Sequence, residues 1–283
     1  MGTPQDSERR ERSATQTRGR LSLAWDVIFG ALRLIRKHVR NAYAVFGIFF
    51  LAGAAIALAF TYAFSEIAAS VRGGHTQQFD DAVMHWMGSH QVKTVQTAML
   101  EVTSLGTGAV VGMIVLVAGL FLWLNQHKHS AILLMAATLG GMVLDNLLKF
   151  GFNRPRPHIF QWGTYAMSSS FPSGHAMSSA IVYGTVAYLA ARLQQNLASR
   201  ILTMGLAGIM ILMICFSRLY LGVHYPSDVL AGVVIGLAWA AFCMAVLEAA
   251  QIYAKHNAPQ MLDDERPAPV SYTHLTLPTK RIV

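Results

Sequence analysis

SRLYLGVHYPSDVLAGVVIGLAWAAFCMAVL, residues 217–247, sets two kinds of sequence side by side. Its opening, Ser217 to Asp228, carries an arginine, a histidine and an aspartate. From Val229 to Leu247 no charge occurs. A run of that length lies near the short limit for a helix crossing a hydrocarbon layer of about 30 Å. Five further apolar runs lie upstream: Asn41–Ser65, Thr103–Asn125, Ser130–Phe150, His175–Ala191 and Ile201–Ser217. The first is uncharged, and it begins too late and runs too long for a cleaved secretory signal, so it reads as an anchor. The third carries Asp145 and Lys149 near its end. The last three are short, which leaves His175, Arg218 and Asp228 close to the membrane interface. No internal repeat marks an inverted-repeat transporter. The fold expected is all-α, an integral membrane bundle of six transmembrane helices.

Composition agrees. Of 283 residues 54% are hydrophobic and 13% charged, with a mean hydropathy of +0.41. Soluble domains carry about 25% charged residues, and a soluble protein this apolar would expose patches prone to aggregation. The net charge of +8 does not point to nucleic acid, because the Lys and Arg residues crowd the first 40 positions or flank apolar runs. Cys215 and Cys243 both lie inside apolar runs, so they read as packing residues rather than a disulfide or zinc site.

The domain reading is a basic arm over 1–40, a six-span domain over 41–250 and a tail over 251–283. The first 20 residues and the stretch after about Asn257 read as disordered. The last 13 residues, SYTHLTLPTKRIV, change character abruptly and read as cloning or adapter sequence. Arg33, Arg36, Lys37 and Arg40 precede the first span, which places the arm in the cytoplasm. Six spans return the C-terminus to that side, with Lys128, Arg192 and Arg200 in the inner loops. The outer segments are 66–102, 151–174 and 218–228. The last two hold arginines against the topological trend, and function is the default reason for such charges. In the long outer loop Phe79, Val83, Trp86 and Met87 fit helical spacing, as do Val92, Val95 and Met99. Helices lying on the outer leaflet or packing against the bundle would both account for this.

Three clusters fall on the outer side. Within KFGFNRPRP, Lys149 is followed after six residues by Arg156 and Pro157. Phe171-Pro172-Ser173-Gly174-His175 opens the fourth span. Ser217-Arg218 leads after five residues to His224 and after three more to Asp228. Two arginines and a lysine pinned at helix ends suit a multiply charged oxyanion, since guanidinium forks match phosphate oxygens. Ser173 and Gly174 stand where free N–H groups and the helix dipole favour anions, although Ser173 also suits a simple helix cap. Pro226 fits the first turn of the sixth span. A carboxylate on one imidazole nitrogen leaves the other free as nucleophile, and a second histidine can protonate a leaving oxygen. The set reads as a phosphoryl-transfer site. Asp145, four residues before Lys149, reads as a counter-ion holding the lysine. His127 and His129 beside Lys128 are a poor candidate for metal.

These clusters resemble the signature of the phosphatidic acid phosphatase type 2 superfamily, K-x6-RP, PSGH and SR-x5-H-x3-D, with every position present. The resemblance covers about residues 42–250. It implies that His224 attacks phosphorus to give a phosphohistidine, that Asp228 orients it, and that His175 is the acid and then the base. Lys149, Arg156, Arg218, Ser173 and Gly174 would bind phosphate. It implies no cofactor and no metal. The partners implied are the bilayer and a lipid phosphate: undecaprenyl diphosphate first, then phosphatidylglycerol phosphate and phosphatidic acid. The location implied is a bacterial cell (inner) membrane, with both termini cytoplasmic and the site on the outer, periplasmic face. A phosphotransferase using the same site and a phosphate or lipid transporter are the competing readings. A soluble vanadium haloperoxidase shares the signature, and six spans argue against it.

Overall fold

The computed structural model describes residues 42–160 and 168–257, which form eight helices and no strand. They are α1 (Ala42–Arg72), α2 (Gln77–Ser89), α3 (Lys93–Ser104), α4 (Gly108–Leu124), α5 (Lys128–Phe152), α6 (Gly174–Leu193), α7 (Leu197–Tyr220) and α8 (Pro226–Asn257). The basic arm 1–40 and the tail beyond 257, with the reading of both as disordered, lie outside the described residues.

Local chemistry sets the ends that matter. Asn153 closes α5 in the left-handed region at φ 43°, which asparagine tolerates, and its N–H bonds the Lys149 carbonyl. Pro155 and Pro157 then cannot extend the helix. Asn196 caps α7 by accepting from the Ala198 N–H at 2.9 Å. Pro226 stands first in α8, where its missing N–H costs nothing. That helix outruns the expected Leu247 by ten residues to Asn257, so the stretch read as tail begins as helix.

Five helical stretches are long and apolar enough to span a membrane: Phe50–Arg72, Lys128–Phe152, Gly174–Leu193, Leu197–Tyr220 and Pro226–Ala250. The expected second span is the exception. Its helix, α4, has 17 residues and is long enough only when taken with α3 before it, from which it is bent by 45°. Leu105-Gly106-Thr107-Gly108 is weak helix former, and the corner is tied down where it turns. Arg218 donates to the Thr103 hydroxyl at 2.7 Å and Tyr183 to the Leu105 carbonyl at 2.9 Å.

The core joins Phe64 of α1, Val111 and Val115 of α4, Leu134 of α5, Met177 and Ile181 of α6 and Ala231 of α8. Half of the apolar stretch of α6 and of α8 is buried, against 6% for α7, so α6 and α8 form the centre and α7 a flank. Leu116 and Leu120 of α4, Val143 and Leu147 of α5, and Ile209 and Leu212 of α7 face outward, as a lipid-facing surface requires. The outer-loop helices divide between the two expectations. Met87 of α2 and Met99 of α3 pack against Tyr220, Leu221 and Val223, whereas Phe79, Trp86 and Val92 stay exposed.

A candidate active site

His224, on the turn between α7 and α8, is 2% exposed. Its Nδ1 lies 2.8 Å from the Ser170 carbonyl. A carbonyl only accepts, so Nδ1 carries the proton and Nε2 keeps its lone pair. Arg156 Nη1 approaches that Nε2 at 3.3 Å and donates to the Val223 carbonyl at 2.9 Å. Asp228, the expected orienter, stands 3.8 Å from Nδ1, beyond hydrogen-bond length. The direct partner is the Ser170 carbonyl, with the carboxylate one step behind. Burial is the main cause that pushes the His224 imidazole down to about 4, with the nearby arginines adding to it and Asp228 opposing. The ring is neutral at ordinary pH, as a nitrogen nucleophile must be.

The cationic groups gather at the same end of the bundle. Lys149 ends α5 and pairs with Asp145 at 2.7 Å, the counter-ion arrangement expected of it. Gly174 opens α6 directly beneath that pair: a Cβ there would meet Lys149 Nζ at 2.7 Å and Asp145 Oδ2 at 3.0 Å. A side chain at 174 would displace the Lys149–Asp145 pair from the α6 N-terminus, and glycine leaves it in place. Ser173 precedes it as N-cap but makes no side-chain cap bond. Its Oγ and the Arg218 Nε are buried without a hydrogen-bond partner. Such atoms are costly unless a polar guest satisfies them. Burial lowers Arg156 as well, against the pull of Asp228. His175, on the first turn of α6, feels the charges of Arg218, His224, Lys149 and Arg156. The structure thus brings all eight expected residues to one end of the bundle.

Sequence reasoning missed the frame around them. Arg154 donates to Asp228 at 2.6 Å and to Asp80 at 2.8 Å. Burial opposes its charge, but the two carboxylates outweigh burial and raise it. Asp80 is fully buried and accepts from the Ser227 N–H at 3.0 Å and hydroxyl at 2.5 Å. Thr103, as the fold showed, holds Arg218. The signal for Asp80 was an acid on the inward stripe of α2 beside Met84 and Met87; for Arg154 it was the first arginine of RPRP.

Residues 129–252 match the family model described as PAP2 superfamily. Phosphatidylglycerophosphatase B of Bacillus subtilis (strain 168) is 27% identical over 175 residues, 62% of this chain and 86% of that protein. The undecaprenyl-diphosphatase of Sulfolobus acidocaldarius is 30% identical over 137 residues, 47% of this chain and 62% of that one. Among solved structures, the transmembrane PAP2-type phosphatidylglycerolphosphate phosphatase from Bacillus subtilis superposes with a TM-score of 0.64 at 25% identity, covering 67% of this chain and 94% of that chain. The matched segment contains all three motif clusters and six of the eight gathered residues lie at its helix ends, so the chain carries a PAP2 superfamily domain over residues 129–252.

Proposed function

We propose that the protein is a metal-independent lipid phosphatase that removes a terminal phosphate through a phosphohistidine at His224. The observation that carries the reading is the neutral imidazole whose bare Nε2 points toward Arg156. Nε2 attacks phosphorus, the bond to the leaving oxygen breaks, and His175 gives that oxygen its proton. His175 then takes a proton from water, which attacks the phosphohistidine and frees His224 and phosphate. Lys149, Arg156 and Arg218 neutralise the equatorial oxygens, with Ser173 and the first N–H groups of α6 beside them. Loss of one such donor costs about 100- to 1,000-fold in rate. With charge neutralisation supplied by these cations, no metal is required of the site.

A cleft of about 210 Å³ beside His175 supports an amphiphilic substrate. It runs between α4, α5 and α6, with Lys149 and Asp145 at its polar end and Val111, Met142 and Ile181 along its apolar side. A phosphate at the cationic end leaves an alkyl tail among apolar walls at membrane depth. Phosphatidylglycerol phosphate and undecaprenyl diphosphate are the substrates to test first, because relatives carry those activities in their names; phosphatidic acid follows. The charge pattern supports a site on the periplasmic face of the inner membrane with both termini cytoplasmic.

Purified protein in detergent should release phosphate from one of these lipids with EDTA present, and His224→Ala should release none while keeping its melting temperature. Undiminished release by that variant removes the nucleophile; loss of release with EDTA, restored by a divalent cation, removes the metal-free mechanism. Phosphate appearing on an acceptor lipid instead of in water would favour the phosphotransferase reading.

A further inference from the structure

Arg154 forms one side of a closed ring of contacts behind the nucleophile. Its guanidinium holds Asp228 Oδ1 at 2.6 Å and Ser227 Oγ at 2.8 Å with one nitrogen, and Asp80 Oδ2 at 2.8 Å and Gln77 Oε1 at 3.1 Å with the other. The plane lies 4.4 Å over the Tyr225 ring. Its backbone grips the facing loop: the Arg154 carbonyl accepts from the Ser170 N–H at 2.8 Å, and its N–H donates to Ser169 Oγ at 3.0 Å. Ser170 in turn donates its hydroxyl to Asp228 Oδ2 at 2.5 Å and offers its carbonyl to His224 Nδ1 at 2.8 Å. Asp228 Oδ2 also receives the Tyr225 N–H at 2.9 Å. Among the described residues, the hydrogen-bonded routes from Asp228 to the nucleophilic ring pass through Ser170 or the 224–225 backbone, and Arg154 is bonded to both Asp228 and Ser170. Asp80 fixes the far side of the guanidinium from α2, outside the segment that matches the family.

We propose that Arg154 and Asp80 are positioning residues of the reaction: they lock Asp228 and the Ser170 carbonyl so that His224 presents Nε2, not Nδ1, to phosphorus. The inference rests on the phosphohistidine reading. Arg154 directs its guanidinium donors to Asp228, Asp80, Ser227 and Gln77 rather than to the phosphate pocket, so it acts on the ring's orientation and not on substrate affinity.

The test uses full-length protein in detergent and three variants, Arg154→Met, Arg154→Lys and Asp80→Asn. Each is assayed for kcat, KM, inhibition by inorganic phosphate and melting temperature, and 15N-histidine labelling reports the His224 tautomer. Arg154→Met should lose about 100-fold in kcat, the cost of a misplaced reacting group, with KM and phosphate inhibition unchanged. Its His224 signals should show both tautomers where the parent shows the Nδ1-protonated one. Arg154→Lys should recover part of kcat, and Asp80→Asn should lose less than Arg154→Met. If Arg154→Met does not fold, the other two decide. A parental kcat and a single tautomer in both overturn the proposal, as does a fall in phosphate affinity that matches the fall in kcat. A parent that releases no phosphate defeats the phosphatase reading instead, and the tautomer measurement still judges the ring.

Discussion

At His224 two features act in the same direction. Burial disfavours protonation of the ring, and the nearby Arg218 and Arg156 disfavour it further. The result is a folded-state value near 4 instead of 6.5. The sign of the pH effect follows. A nucleophile that must be neutral is competent above its own pKa, so the limb that His224 contributes to phosphohistidine formation at sub-saturating lipid, which reports the free enzyme, should lie near 4 and not near 6.5. Rapid-quench measurement across that range checks it, and a limb centred near 6.5 would contradict the buried geometry. Stability runs the same way: an unfolded chain binds a proton at this histidine below about 6.5, the folded one does not, so the contribution is full above that pH and is lost as pH falls toward 4. The eight residues that the structure gathers were legible through the three motif clusters that resemble the PAP2 signature. Asp228 was legible in identity but not in its contact: one turn of helix separates it from His224, and spacing cannot say that the Ser170 carbonyl, 54 residues upstream of the histidine, takes the nearer place. Arg154 and Asp80 are 74 apart in sequence, and no local pattern joins them.

Among the helices, α6 and α8 decide where the reacting groups stand. Their first turns are joined by the Ser173 N–H to Asp228 carbonyl bond at 3.0 Å, and their axes approach at Gly232, where a Cβ would meet the Ser173 carbonyl oxygen at 2.6 Å and Ala176 Cβ at 3.1 Å. A backbone oxygen cannot swing aside as a side chain can. Gly232→Ala should therefore push the start of α6 away from α8, at a cost of about 1–3 kcal/mol for overpacking, and separate Ser173 and His175 from His224. A lowered melting temperature together with a loss of phosphate release larger than the loss of folded protein checks this; parental values for both would show that the helices have slack. The spans themselves were legible from uncharged runs, within a few residues for α6, α7 and the start of α8. The α3–α4 corner was not, because an apolar run records hydrophobicity and not direction. What turns the chain there is Arg218 reaching Thr103 and Tyr183 reaching Leu105, both from other helices.

Across the described residues, the cluster of cations, histidines and Asp228 lies at one end of the bundle, the Arg192–Glu248 pair lies on α6 and α8 toward the other, and the flanks are apolar. The faces of α2 and α3 follow the same division, with Met87 and Met99 turned to the bundle and Phe79 and Trp86 exposed. Aromatic side chains of this kind favour the headgroup layer. The corner at 105–107 also shortens one crossing. The straight part of that pair, Gly108–Leu124, has 17 residues, a rise of about 25 Å against a hydrocarbon layer of about 30 Å. A segment shorter than its surroundings draws the leaflets inward, so lipids beside α4 should be compressed at the edge of the cleft that borders His175. The enzyme would then be tuned to thin bilayers. Reconstituted into a series of phosphatidylcholines of increasing acyl length, it should turn over fastest in the shorter members and slow as the chains lengthen; a rate indifferent to acyl length would mean that the bend, and not the surrounding lipid, absorbs the missing height.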